Sequence, residues 1–159
     1  MEYITAEHIN NAINKIEGMD DDALSHLIET FVLEQNSLAG YSLQAAIEFQ
    51  NEELNDLIMY YFAIIYQSFK NAGYKMGIVE DDLIDAFQEP FHEALDLIHT
   101  TEDYSEISSL INQPVLENWM VDEIGAEDSE GNLLGDETQI QLYLVTMNII
   151  GLLNKVANG

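Results

Sequence analysis

Glu89, His92, Asp96 and His99 are the residues of this chain whose types and spacing come nearest to chemistry. At intervals of three and four they return to one side of a helix, and a carboxylate and an imidazole one turn apart can share a divalent cation. Pro90 lies inside the motif and disturbs the backbone that would align it. A second acidic stretch, residues 126–137, places Asp128 and Glu130 before Gly131 and ends on Glu137. Carboxylates arranged about a glycine turn are a means of surrounding Ca²⁺ with oxygen. Other chemistries lack their residues. There is no cysteine, which removes thiolate ligands, thiol nucleophiles and disulfides. There is no Gly-x-Ser-x-Gly, no Gly-x-x-x-x-Gly-Lys and no Gly-x-Gly-x-x-Gly. Without arginine, an anionic substrate would meet only four lysines, which argues against nucleotides and phosphorylated substrates.

Glu89-Pro90-Phe91-His92 is similar in spacing to the Glu-x-x-His motif of di-iron carboxylate bundles. Those bundles use a second copy and two further helical glutamates. No second copy exists here, since neither His8 nor His26 has a Glu three residues before it. Residues 126–137 are similar to the EF-hand loop, with Asp128 third, Glu130 fifth, Gly131 sixth, Leu133 eighth and Glu137 twelfth. The frame departs at its first position, where Ala126 stands for Asp, so the resemblance implies at most a weak Ca²⁺ site. A solvated helix face and an acidic turn account for both stretches with no ligand at all.

Charge is the property that sets this chain apart. Thirty Asp and Glu face four Lys (Lys15, Lys70, Lys75, Lys155), for a net charge of −26 over 159 residues. Between positions 76 and 154 there are eighteen acids and no Lys. The hydrophobic share of 47 % supports a real core, so this is not the acidity of a disordered tail. Twelve of the acids stand in five clusters at expected helix starts: 20–22, 52–53, 80–82, 102–103 and 136–137. There they cap free N–H groups and oppose the helix dipole, at roughly 0.3–1 kcal/mol each. Two groups remain. Asp85, Glu89, Glu93 and Asp96 fall within an arc of roughly 80° opposite an apolar face. Glu117, Asp122, Glu123, Glu127, Asp128 and Glu130 follow. Like charges stack on these surfaces where an ordinary helix would interleave Lys. Such a field repels phosphate backbones and anionic lipid and attracts cations or a basic protein. A saline habitat would also favour acidity, but gives no reason to lose every arginine.

The elements that position these residues follow a helical period throughout. Thr5 caps a first helix that Gly18 stops, and Asp20 caps a second that runs to Gly40. Ser42 caps a third, which breaks or continues near Asn51. Residues 52–72 form a helix apolar nearly all round its middle, closed by Gly73. Its aromatic residues Tyr60, Tyr61, Phe62, Tyr66 and Phe69 fill a core or leave a face for a second subunit. Residues 74–79 connect, and mark a looser boundary if the chain has one. A fifth segment runs from residue 80 to about 99, kinked or restarted at Pro90. Short helices fit 103–111 and 114–124, with Trp119 and Met120 as a core anchor or an interface hot spot. A loop spans 125–135, and a last, largely apolar helix spans about 136–157. Residues 22–41, with Glu34-Gln35-Asn36 before Tyr41, have the regularity of a signature to which no function attaches.

These observations predict an all-α fold: a single helical domain over residues 1–159, an irregular bundle of about six to eight helices with two largely buried central ones. They predict a cytoplasmic protein, because the start of the chain has no basic, apolar leader and no apolar run is long enough to span a bilayer. The function they point to is that of a non-enzymatic acidic interaction protein. It would bind or inhibit a basic protein partner, as an antidote, a mimic of DNA charge or a chaperone does. Nucleic acid, membranes and cofactors are not expected. The alternatives are a divalent-cation protein using Glu89, His92, Asp96 and His99, and a ligand-free helical homo-oligomer.

Overall fold

A computed structural model describes residues 3–158. Eight helices hold 77 % of the described residues, which makes it an all-α bundle. They are α1 (Ala6–Glu17), α2 (Asp21–Glu34), α3 (Asn36–Glu48), α4 (Glu52–Asn71), α5 (Asp81–Thr101), α6 (Ser105–Ile111), α7 (Pro114–Gly125) and α8 (Asp136–Val156). Two short strands, β1 (Lys75–Met76) and β2 (Ala157–Asn158), pair antiparallel.

The centre is a pair of parallel helices, α4 and α8. At their N-terminal ends Asn51 Nδ2 donates to Thr138 Oγ1 at 3.2 Å. Beyond their C-terminal ends β1 meets β2, and the Gly77 N–H donates to the Val156 carbonyl at 2.8 Å. Each helix is buried on every side along one half: residues 61–69 of α4 and 145–153 of α8. Helices apolar all round must be covered all round. One contiguous core does this, with buried side chains from all eight helices. Tyr61, Phe62, Tyr66 and Phe69 are therefore covered within the chain. Two buried hydroxyls on these helices bond back to their own turns, Ser68 Oγ to the Ile64 carbonyl and Thr146 Oγ1 to the Leu142 carbonyl.

Local signals set most boundaries. The Thr5 hydroxyl accepts the His8 N–H and His8 Nδ1 accepts the Thr5 N–H, a reciprocal cap on α1. Asp20 caps α2 by accepting the Ala23 N–H at 2.8 Å. Asn51 caps α4, and Gly73 ends it at φ +87°. Helix α5 runs through Pro90 without a new start.

The second boundary departs from the local signals. Helix α2 stops at Glu34, and α3 passes through Gly40 without a break. Ser42 does not cap; its hydroxyl bonds back to the Leu38 carbonyl at 2.7 Å. The break is made by Gln35, whose side chain leaves the helix to reach residues 77 and 79. Its Nε2 donates to the Gly77 carbonyl at 2.6 Å and its Oε1 accepts the Val79 N–H at 2.9 Å. Gln113 acts alike between α6 and α7: its Oε1 accepts the Ile4 N–H and its Nε2 donates to Asn154 Oδ1. Each glutamine stands at a helix N-cap yet makes no capping bond. Each supplies a bond to a distant backbone amide instead. Residues 74–79 are thereby tied down at both the Gln35 side chain and β2.

Two variants test this packing. Gln35→Ala strips partners from the buried Val79 N–H and the Gly77 carbonyl, at about 1–3 kcal/mol each, so the urea midpoint should fall steeply. At Gly151 an added Cβ would lie 2.6 Å from Phe87 Cζ, and that ring is buried and stacked on Phe91. Gly151→Ala is expected to lose about 1–3 kcal/mol by overpacking.

Candidate functional site

At the N-terminal end of the central pair, α4, α7 and the loop 126–135 enclose a cleft of about 600 Å³. One wall is a stripe of α4, Glu53, Leu57 and Tyr61, which recur at four-residue spacing on one side of the helix. Glu123 of α7 faces it, and the loop adds Glu127, Asp128, Leu133 and Leu134. Four carboxylates thus share a cavity with an apolar wall, and neither Lys nor Arg lines it.

Tyr61 is held from behind by an edge-on contact with Trp119, ring centroids 5.8 Å apart. Burial, with the nearby Glu123 charge, pushes its hydroxyl up to about 12. It is a neutral donor with a ring face, not a base. The loop folds on Asp128, whose Oδ1 accepts the N–H groups of Glu130 and Asn132, both at 2.9 Å. Gly131 takes the left-handed conformation that this turn requires. In the EF-hand frame Asp128 would turn its carboxylate to a cation; here one oxygen holds the loop's own backbone.

The residues singled out by sequence divide between two regions. Glu123, Glu127 and Asp128 come together in the cleft, with Asp122 and Glu130 exposed beside them in the chain. Glu117 is half-buried on α7; its Oε1 accepts the Ser108 hydroxyl at 2.6 Å, while its Oε2 is buried with no hydrogen-bond partner among the described residues. Asp85, Glu89, Glu93 and Asp96 are exposed along α5 and line no part of the cleft. His92 and His99 are exposed on the same helix. Among the described residues no three His, Asp or Glu side chains come together as a ligand set for a metal ion.

Glu53, Leu57, Tyr61 and Leu134 belong to the cleft without being candidates from the sequence. Glu53 had been absorbed into the helix start, and Tyr61 into the aromatic core. Their shared four-residue interval was the available signal. Compared with known protein families, characterised proteins and solved structures, the chain has no match. No described helix is long and apolar enough to cross a membrane.

Burial, joined by the Glu17 and Asp122 charges, raises the Glu123 carboxyl above its usual 4.5. The folded state holds that proton more tightly than the unfolded chain does. Ionisation of Glu123 therefore opposes folding, and the penalty grows as pH rises above the usual carboxylate range. Glu123→Gln is expected to raise the urea midpoint at about pH 7, and the gain is expected to vanish below about pH 4. Denaturation midpoints across that range check it. A gain that stays constant to low pH assigns the effect to something other than charge.

Proposed function

We propose that this is a non-enzymatic acidic interaction protein that binds a basic protein, and inhibits or shelters it by covering its cationic surface. The observation that carries the proposal is the composition of the cleft: Glu53, Glu123, Glu127 and Asp128 around apolar walls, with no cation among the lining residues. Glu123 is carried at an energetic cost in the free protein, and a cation in the cleft relieves that cost. An inserted Lys or Arg side chain would find carboxylates for its head and Leu57 and Leu134 for its stem.

The wider field supports the same function. A net charge of −26 draws in a basic partner and turns away phosphate backbones. Steering of this kind governs the on-rate and weakens as salt screens it. A cytoplasmic setting belongs to the proposal.

The test is a pull-down from lysate at low salt with elution by a salt step, followed by titration of the recovered protein. Affinity is expected to fall at least ~10-fold between about 0.05 M and about 0.5 M salt, because exposed charges are screened over that range. Glu123→Gln combined with Glu127→Gln is expected to weaken binding by about 3–10-fold, mainly through the on-rate. An affinity indifferent to salt would remove the electrostatic basis of the proposal.

A further inference from the structure

Helices α3, α5 and α8 enclose a second feature, which shares no residue with the cleft. It is a groove of about 320 Å³ whose floor is Phe91, Leu95, Leu144, Val145 and Ala45. Its two banks run in parallel, because Tyr41 meets Gln88 near one end while Glu48 lies with His92 and Leu95 farther on. A polar latch closes the first end: Tyr41 Oη donates to Gln88 Oε1 at 2.7 Å, and Gln88 Nε2 donates to Asn148 Oδ1 at 3.4 Å. Burial holds the Tyr41 hydroxyl in its neutral form. The far end opens, through the shared Gln141, onto Phe49, which is 51 % exposed beside Glu52 and Glu137.

The charges along this groove are of one sign. Glu48 stands on the α3 bank, Asp81 and Asp85 lie beyond the latch, and Glu52 and Glu137 border the open end. His92 is the remaining ionisable side chain besides tyrosine, and no Lys lines any of the three depressions. From Tyr41 to Glu48 the α3 bank measures about 10 Å, or two helical turns. An apolar strip of that length, with carboxylates on one bank and at the open end, complements a helix with one apolar stripe and basic residues beside it. An extended segment would send alternate side chains away from the floor.

We propose that the groove between α3 and α5 is a docking site for an amphipathic basic helix of a partner protein. Its apolar residues at i, i+4 and i+7 lie on Ala45, Leu95 and Leu144, and its Lys and Arg residues face Glu48, Glu52 and Glu137. Charge complementarity with Glu48 on the α3 bank and with Glu52 and Glu137 at the open end selects this occupant. The proposal does not rest on the cleft.

The probe is a fluorescein-labelled Leu/Lys peptide of about 15 residues, helical with a single apolar stripe. Its control is the same composition scrambled so that no stripe forms. Fluorescence anisotropy at about 0.15 M salt, where long-range attraction is screened, reads both affinities. The striped peptide is expected to bind at least ~10-fold more tightly than the scrambled one. Leu95→Lys in the groove is expected to weaken it ~10-fold, while Leu33→Lys, the same change of charge at an exposed site on α2, alters it less than ~2-fold. Glu48→Lys gives a second groove variant at an exposed position, should Leu95→Lys lose its helical circular dichroism. Equal binding of the two peptides, or equal losses in the groove variants and Leu33→Lys, overturns the proposal in favour of a general attraction to net charge. A dimer in sedimentation that the groove variants dissolve overturns it in favour of a second copy of this chain.

Discussion

Helices α4 and α8 run the same way, and the need to bury both shapes the molecule. Their dipoles point in parallel, so two positive ends meet at one pole and two negative ends at the other. The chain answers with charge. Glu52, Glu53, Asp136 and Glu137 stand in the first turns of the two helices, and Lys70 and Lys155 in the last turns. Lys75, on the strand that closes the far pole, adds to the second group. Even Lys15 belongs there, since its Nζ reaches Gln67 in the C-terminal half of α4 at 3.3 Å. The lysines are thus confined to the region of one pole, and the acidic cleft opens at the other.

This arrangement explains how so acidic a chain keeps its fold. The core contains no ionised side chain, and its buried polar groups are Ser, Thr, Asn and Gln that bond within the protein. The carboxylates lie outside, in water, where repulsion between them is screened. Glu123 and Glu117 are partial exceptions: the first lies half inside the cleft beside Glu17 and Asp122, and the second is half-buried on α7 with one oxygen accepting the Ser108 hydroxyl. The one ion pair among the described residues, Lys70 with Glu34 at 3.1 Å, sits near the lysine pole, with Lys70 also 5.0 Å from the Phe31 and Tyr66 ring centroids. The charge of the surface is therefore left almost wholly uncompensated from within.

Much of the fold was legible in the sequence because the relevant forces are local. Thr5, Asp20, Asn51 and Gly73 mark helix ends through groups within four residues, and continuous apolar stretches identify α4 and α8 as central. Gln35 could not be read in that way. Glutamine is a poor helix cap, and its partners lie more than thirty positions away. Gly40 and Ser42 offered a plausible local stop that long-range bonding overrode. The cleft was half legible for a related reason. Glu123, Glu127 and Asp128 stood out as acids without lysines, whereas Glu53 and Tyr61 join them only because α4 and α8 are parallel, a relation that no periodicity encodes.

Parallel pairing also has a history in time. The groups that clasp the two helix starts are 87 residues apart in the chain. Adjacent antiparallel helices can zip together across a short turn, but α4 has to wait for a partner from the far end of the sequence. A helical protein normally folds fast because its contacts are local; this one defers its central contact until a long loop has closed. Meanwhile the nine-residue girdle 61–69, which needs cover on every side, has only α1, α2 and α3 to shelter it. The dense negative charge on the rest of the chain then acquires a use unrelated to binding. It keeps half-formed copies apart while that apolar helix is bare.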